Sequence, residues 1–231
     1  MSRSTTVPAP VAAPVSVSTR SGRVQVTGEP RSDVLVEPQA EVVTADDGRV
    51  EVRAKSGNLE IRCPEGTDVI VGTNSGSIAL CGRLGDARAT SGSGDIRVET
   101  VTRLDARTAS GTIEVESCAG ECRCQSGSGT VSVDEAGRAD LATGSGSVAA
   151  GLVDGGQMRT GSGSVDVGLR GAGPVTIRAH SGSVTITVPA GTRPATRLRA
   201  GSGSVRCECD EGDEGGIEVK TGSGSVVVAE R

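Results

Sequence analysis

The chain has no Phe, Tyr or Trp, and only one His and two Met in 231 residues. Compact cores draw much of their buried area from aromatic rings, on the order of 150–250 Å² each. Any core here is therefore thin and built from small aliphatic side chains, and the aromatic platforms of sugar-processing enzymes are excluded. No apolar run approaches the roughly 20 residues of a membrane helix. Residues 1–14, with Pro8, Pro10 and Pro14, lack the apolar stretch of roughly 7 to 15 residues that marks a secretory signal. These absences lead us to expect a cytoplasmic protein without a transmembrane segment, with the cell surface as the alternative. Neither sign of charge dominates: 24 Lys and Arg stand against 29 Asp and Glu, for a net charge of -5. A polycationic surface for nucleic acid is not expected. The seven Cys are odd in number and irregularly spaced, which suits reduced thiols better than a disulfide framework.

What is abundant is Gly, 35 residues of it, and it falls in a repeat. Ser-Gly pairs recur, each followed two residues after the Gly by an aliphatic anchor: Val24, Leu59, Ile78, Ile96, Ile113, Val131, Val148, Val165, Val184, Val205 and Val226. From Leu59 onward the anchors step by 17 to 21 residues; the single step of 35, from Val24 to Leu59, spans about two periods and leaves room for a degenerate turn around Val34, Val36, Val42 and Val43. Two residues after each anchor comes another apolar side chain, or Cys207. Five residues before each anchor lies Thr, Ser or Ala without exception. Period-2 alternation of this kind marks short strands, so each unit reads as strand, corner, strand. One unit buries too little alone, and stacked units share a continuous core. We expect an all-β, single-domain β-solenoid of about eleven rungs over residues 15–231, preceded by a flexible Pro-rich segment over 1–14. A meander of hairpins turning at the Ser-Gly pairs fits the same pattern.

At each corner, Gly accommodates a slip in phase and close approach of the next coil. Ser110-Gly111, Ser145-Gly146, Ser162-Gly163 and Ser181-Gly182 are the structural corners singled out, with the Ser hydroxyls expected to point inward as a stacked column. The recurring Ser-Gly-Ser-Val, as in Thr143-Gly144-Ser145-Gly146-Ser147-Val148, resembles the β-strand-repeat family of bacterial domains of unknown function known as putative adhesins, over about Val15 to Val228. That resemblance implies a solenoid and leaves an exported, adhesin-like envelope protein among the possible roles.

Candidate chemistry is sparse. A calcium-binding repeat needs a carboxylate at successive corners, and only Gly94-Asp95-Ile96 offers one. No Gly-rich corner continues as a phosphate-binding loop. Cys122, Cys124 and Cys207 occupy apolar slots and read as small core residues, as opposed to zinc ligands, which need four donors at suitable spacing. Cys63 and Cys81 fall at similar places on rungs successive in sequence, so that a disulfide on oxidation is conceivable. His180 sits before a corner with no carboxylate placed by sequence to orient it. The acidic stretch Glu208, Asp210, Glu211, Asp213 and Glu214 reads as a solvated loop. No catalytic, cofactor-binding or metal-ligating set emerges.

One outward row stands apart. Six residues before the anchor, four units carry Arg159, Arg178, Arg199 and Lys220, and Arg53 and Arg107 share that position earlier. Like charges stacked about 5 Å apart repel unless a countercharge relieves them. The expected function is a non-catalytic scaffold or interaction module, with this row docking an acidic protein, an anionic polymer or a membrane surface. A self-assembling filament, associating end to end through uncapped rungs, is the alternative.

Overall fold

Burial alternates along the strands as the period-2 pattern requires. Val15, Val17 and Thr19 are buried while the residues between them are not, and the same holds for Val175, Ile177 and Ala179. The computed structural model describes residues 5–8, 13–38, 41–44, 48–210 and 212–231, which are strand and turn without helix. The first of two compact units, Met1–Ala119, contains β1 (Thr5–Pro8), β2 (Val15–Ser21), β3 (Val24–Glu29), β4 (Asp33–Glu37), β5 (Glu41–Thr44), β6 (Val50–Ala54), β7 (Leu59–Pro64), β8 (Val69–Ser75), β9 (Ile78–Ser91) and β10 (Ile96–Ser110). The boundary falls within β11 (Ile113–Ser128). The second unit, Gly120–Arg231, contains β12 (Val131–Ser145), β13 (Val148–Ser162), β14 (Val165–Leu169), β15 (Val175–Ser181), β16 (Val184–Val188), β17 (Pro194–Ser202), β18 (Val205–Cys207), β19 (Glu214–Ser223) and β20 (Val226–Glu230).

Each unit is a parallel stack of two-strand coils, and in neither do the coils follow chain order throughout. In the first unit β2 pairs with both β6 and β8, and β3 with both β7 and β9. The earliest coil, residues 15–29, thus lies between coils 50–64 and 69–82. The 35-residue step between anchors holds antiparallel strands instead of a degenerate turn: β4 pairs antiparallel with β7, β5 with β6, and β1 with β4. Val34 and Val36 are fully buried there, and Val42 and Val43 lie in β5. Within the segment 1–14, Thr5–Pro8 is therefore a paired strand, while 1–4 and 9–12 lie outside the described residues. The interposed coil also separates Cys63 from Cys81. Cys63 is in register with Gly28 and Cys81 with Thr27 on opposite sides of it, two strand spacings of about 4.8 Å apart, which is beyond disulfide reach.

The second unit shows the mirror of this arrangement at its far end. Register runs Val131, Val148, Val165, Val184, Val226, Val205. The last coil in sequence, 217–230, is inserted between coils 175–188 and 194–207, so the outermost edge is formed by β17 and β18. Anchors inside the stack are fully buried, whereas Val205 is 47% exposed.

The corner departs from the sequence expectation in one respect. Ser110, Ser145 and Ser162 are exposed and Ser181 is half-buried. They do stack, with Ser145, Ser162, Ser181, Ser223 and Ser202 in register, but on the outer surface. Both residues that follow the buried position five before the anchor are outward or half-buried, so the alternation breaks there and the Ser is left outside. The buried hydroxyls belong to that earlier position: Thr108, Thr143 and Thr160 donate to the carbonyls of Gly94, Gly129 and Gly146 in the adjoining coil, at 3.1, 2.9 and 3.0 Å. At Gly146 and Gly163, φ is +147° and +140°, and a Cβ would overlap the carbonyl oxygen of Gly129 and of Gly146 respectively. Only Gly satisfies both conditions.

Gly163→Ala is expected to lower stability by on the order of 2–4 kcal/mol through overlap and strain, whereas Gly72→Ala, with nothing within 4 Å of its would-be Cβ, changes it by about 1 kcal/mol or less; urea unfolding of the two variants measures the difference. Thiol burial gives a pH signature. Burial pushes the Cys63 thiol from 9.0 to about 11, and burial together with Glu99 does the same at Cys81. The unfolded thiols ionise first, so this contribution to stability is complete below pH 9 and is lost as pH rises through about 11. The urea midpoint should fall between about pH 8 and about pH 10.5, and fall less in the double variant Cys63→Ala/Cys81→Ala.

Candidate docking face

Outward positions on neighbouring coils are brought side by side by the parallel register, and this assembles the basic row. Arg159 is in register with Arg178, Arg178 with Lys220, and Lys220 with Arg199. The sequence order of the last two is exchanged because coil 217–230 is inserted. All four side chains are exposed. Beside them runs a second row, Gln157, Thr176, Glu218 and Arg197, to which sequence reasoning assigned no role. Arg197 sits eight residues before its anchor, a position that also holds Arg88 and Arg123 in other coils, so no sequence signal set it apart. Arg178, Arg197, Arg199 and Lys220 line a cavity of about 280 Å³ together with Glu218 and Val219, four cations against one carboxylate.

Counterion placement distinguishes this row from the same repeat position in the first unit. In the first unit Arg53 and Arg107 occupy the same repeat position, yet each is paired two residues back along its own strand. Arg53 meets Glu51 at 2.6 Å and Arg107 meets Asp105 at 3.0 Å. At the equivalent places in the second unit stand Gln157, Thr176, Arg197 and Glu218. Arg159 donates to the neutral Gln157 amide at 2.9 Å. Among the described residues, no carboxylate forms an ion pair with Arg178, Arg197, Arg199 or Lys220. Exposed pairs are individually weak; what matters here is a concentration of cations with so little local compensation.

The remaining candidates are absorbed by the fold. Cys118, Cys122 and Cys124 are buried in the core. Cys207 is exposed because its coil is outermost, and its sulfur lies 3.1 Å from that of Cys209. Asp95 accepts from the Thr112 amide at 2.9 Å, a structural contact within the corner. In the acidic loop, Glu208 meets Arg206 at 3.4 Å and Asp210 meets Arg193 at 3.3 Å, while Glu214 accepts from the Arg193 amide at 3.5 Å. Asp213 is exposed, and Glu211 lies outside the described residues. His180 is exposed. No cluster of three or more His, Cys, Asp or Glu suited to a metal occurs among the described residues, and no helix among them is long and apolar enough to cross a membrane.

Comparison with known proteins places the fold. A putative adhesin from Bacteroides fragilis NCTC 9343 superposes with a TM-score of 0.53 over 98% of this chain and 96% of that chain, at 11% identity, a likeness of fold alone. A putative cell adhesion protein from Clostridium sporogenes ATCC 15579 is also 11% identical over 99% of each chain, but its TM-score of 0.28 carries no argument. No curated protein matches the chain. The family model described as Toastrack DUF4097 matches residues 6–229, and with the repeat running through both units, the chain belongs to the Toastrack DUF4097 family.

Proposed function

We propose that the protein is a non-catalytic β-solenoid module that docks an anionic polymer or acidic protein surface on the basic face of its second unit. The observation that carries this reading is the register-stacked series Arg159, Arg178, Lys220, Arg199, in which Arg178, Lys220 and Arg199 have no ion-pair partner among the described residues. Cations about 4.8 Å apart along a sheet repel one another. An anion lying across the row removes that repulsion and gains charge-assisted hydrogen bonds from the guanidinium groups. The adhesin-like description of the Bacteroides protein makes the cell surface one setting for such docking, and the cytoplasm expected from the sequence is the other; the chemistry of the face is the same in both.

Labelled poly-L-glutamate serves as the test ligand. The full chain should bind it at about 50 mM salt and lose most of that binding at about 200 mM, as exposed electrostatics require. Arg178→Glu/Lys220→Glu should reduce affinity at least about tenfold, the scale of two charge-assisted contacts. Arg97→Glu/Arg103→Glu makes the same change in net charge on the first unit and should leave binding intact. Equal loss in both double variants would show that only net charge matters, and the reading would fall.

A further inference from the structure

We infer that the open edge of the second unit takes up an extended acidic segment of a partner protein as an added β-strand, its alternate carboxylates facing Arg197 and Arg199. This rests on the docking reading above and narrows the partner to a strand-forming segment with an acidic-aliphatic-acidic pattern.

Three observations converge on β17. First, it is paired along one side only, with β19, whereas β15 is paired on both sides, with β13 and β19. Among the described residues, no second strand pairs with the stretch 197–202 of β17, an edge of the kind that accepts another strand. Second, the end of the core is uncovered. Leu198 and Ala200 are half-buried, while the residues in the same slots one coil inward, Val219 and Thr221, are 0% and 3% exposed. A strand laid along β17 would cover these slots with its own aliphatic side chains. Third, Arg197 and Arg199 project from the outer face of this edge strand and line the cavity shared with Arg178 and Lys220. Residues two apart on a strand are separated by about 6.7 Å, so carboxylates two apart on an added strand match the two guanidinium groups.

The same charges disfavour a second copy of this chain as the occupant. Antiparallel pairing of β17 with itself about Leu198 sets Arg197 against Arg199, and parallel pairing in register sets each Arg against itself; like charges directly opposite one another are destabilising. An acidic strand turns that repulsion into attraction. This is edge addition as in other peptide-binding sheets, where the backbone supplies affinity and alternate side chains supply specificity.

The test uses the full chain and a labelled, end-blocked peptide, Thr-Glu-Val-Glu-Val-Glu-Thr, followed by fluorescence anisotropy at about 50 mM salt. Two further peptides carry N-methyl groups on one or the other alternate set of amides, which keeps the charge and removes the strand's donors along one edge. The inference requires that the parent peptide binds, that one N-methylated version binds at least about tenfold more weakly than the other, and that Arg197→Glu/Arg199→Glu abolishes binding while Arg197→Lys/Arg199→Lys retains it. Thermal melts establish that both double variants are folded. Equal binding of all three peptides overturns strand addition and leaves charge-driven docking standing. So does binding of poly-L-glutamate without binding of the peptide. Dimerisation of the peptide-free chain through this edge, seen by sedimentation and competed by no peptide, assigns the edge to a second copy and overturns the inference. If neither peptide nor poly-L-glutamate binds, both the inference and the docking reading fall.

Discussion

Close approach of backbone to backbone at the corners is the contact on which the rest of the fold depends. Where Gly163 stacks on Gly146, the space a Cβ would need is filled by the next coil's carbonyl oxygen, and the Thr160 hydroxyl closes the same corner by donating to that carbonyl. Corners free backbone polar groups from the ladder, and a buried carbonyl without a donor costs on the order of 1–3 kcal/mol. Where Thr stands five before the anchor, as at Thr108, Thr143 and Thr160, one Gly and one hydroxyl resolve both the steric and the polar problem. They also hold successive coils at a single spacing and in a single register, which aligns Val148, Val165 and Val184 as a continuous buried column. Val, Ile, Leu and Ala make up most of the buried interior.

A stack built this way has two exposed faces, because parallel coils leave unpaired edges wherever stacking stops. The two units treat the problem differently at the edges described here. In the first, β4 and β5 run antiparallel against β7 and β6, so the outer parallel coil is covered by strands of opposite direction. In the second, coil 194–207 is outermost, and Val205 and Cys207 are exposed there. Edge strands left open in natural proteins commonly carry charge that discourages pairing with a copy of themselves. Arg197 and Arg199, both exposed on β17, place charge of that kind at this edge.

Much of this was legible in the sequence because solenoid structure is written in period and alternation. The anchors, the strand phase and the small residue at the corner all follow from side chains that the repeat forces into one environment. The burial of Cys122 and Cys124 followed from their slots alone. Coil order was not legible. A repeat tells which residues are equivalent but not which copies are adjacent, since coil 15–29 carries the same pattern whether it lies outside coil 50–64 or inside it. From that ambiguity came the pairing imagined for Cys63 and Cys81 and the sequential ordering of Arg199 and Lys220. The orientation of the corner Ser was missed for a different reason: strict alternation was carried through a bend at which it no longer applies, and the inward hydroxyl proved to be Thr two residues earlier.

Parallel, in-register stacking makes equivalent residues into neighbours, and this amplifies whatever the repeat holds at a position. A column of Val gains dispersion and burial at every step. A column of Ser on the outer surface is nearly neutral. A column of cations accumulates repulsion at every step, and the fold offers no gain at an outward site to offset it. In the first unit, carboxylates beside Arg53 and Arg107 relieve the charge; in the second, Gln157, Thr176, Glu218 and Arg197 occupy the corresponding places, one carboxylate among them. Nothing in the folding of the coil requires a cation there, and on the proposed reading an anion lying across the row would relieve the repulsion. The row ends on β17, for which β19 is the pairing strand among the described residues, and the proposed acidic segment is placed there because charge and strand edge coincide.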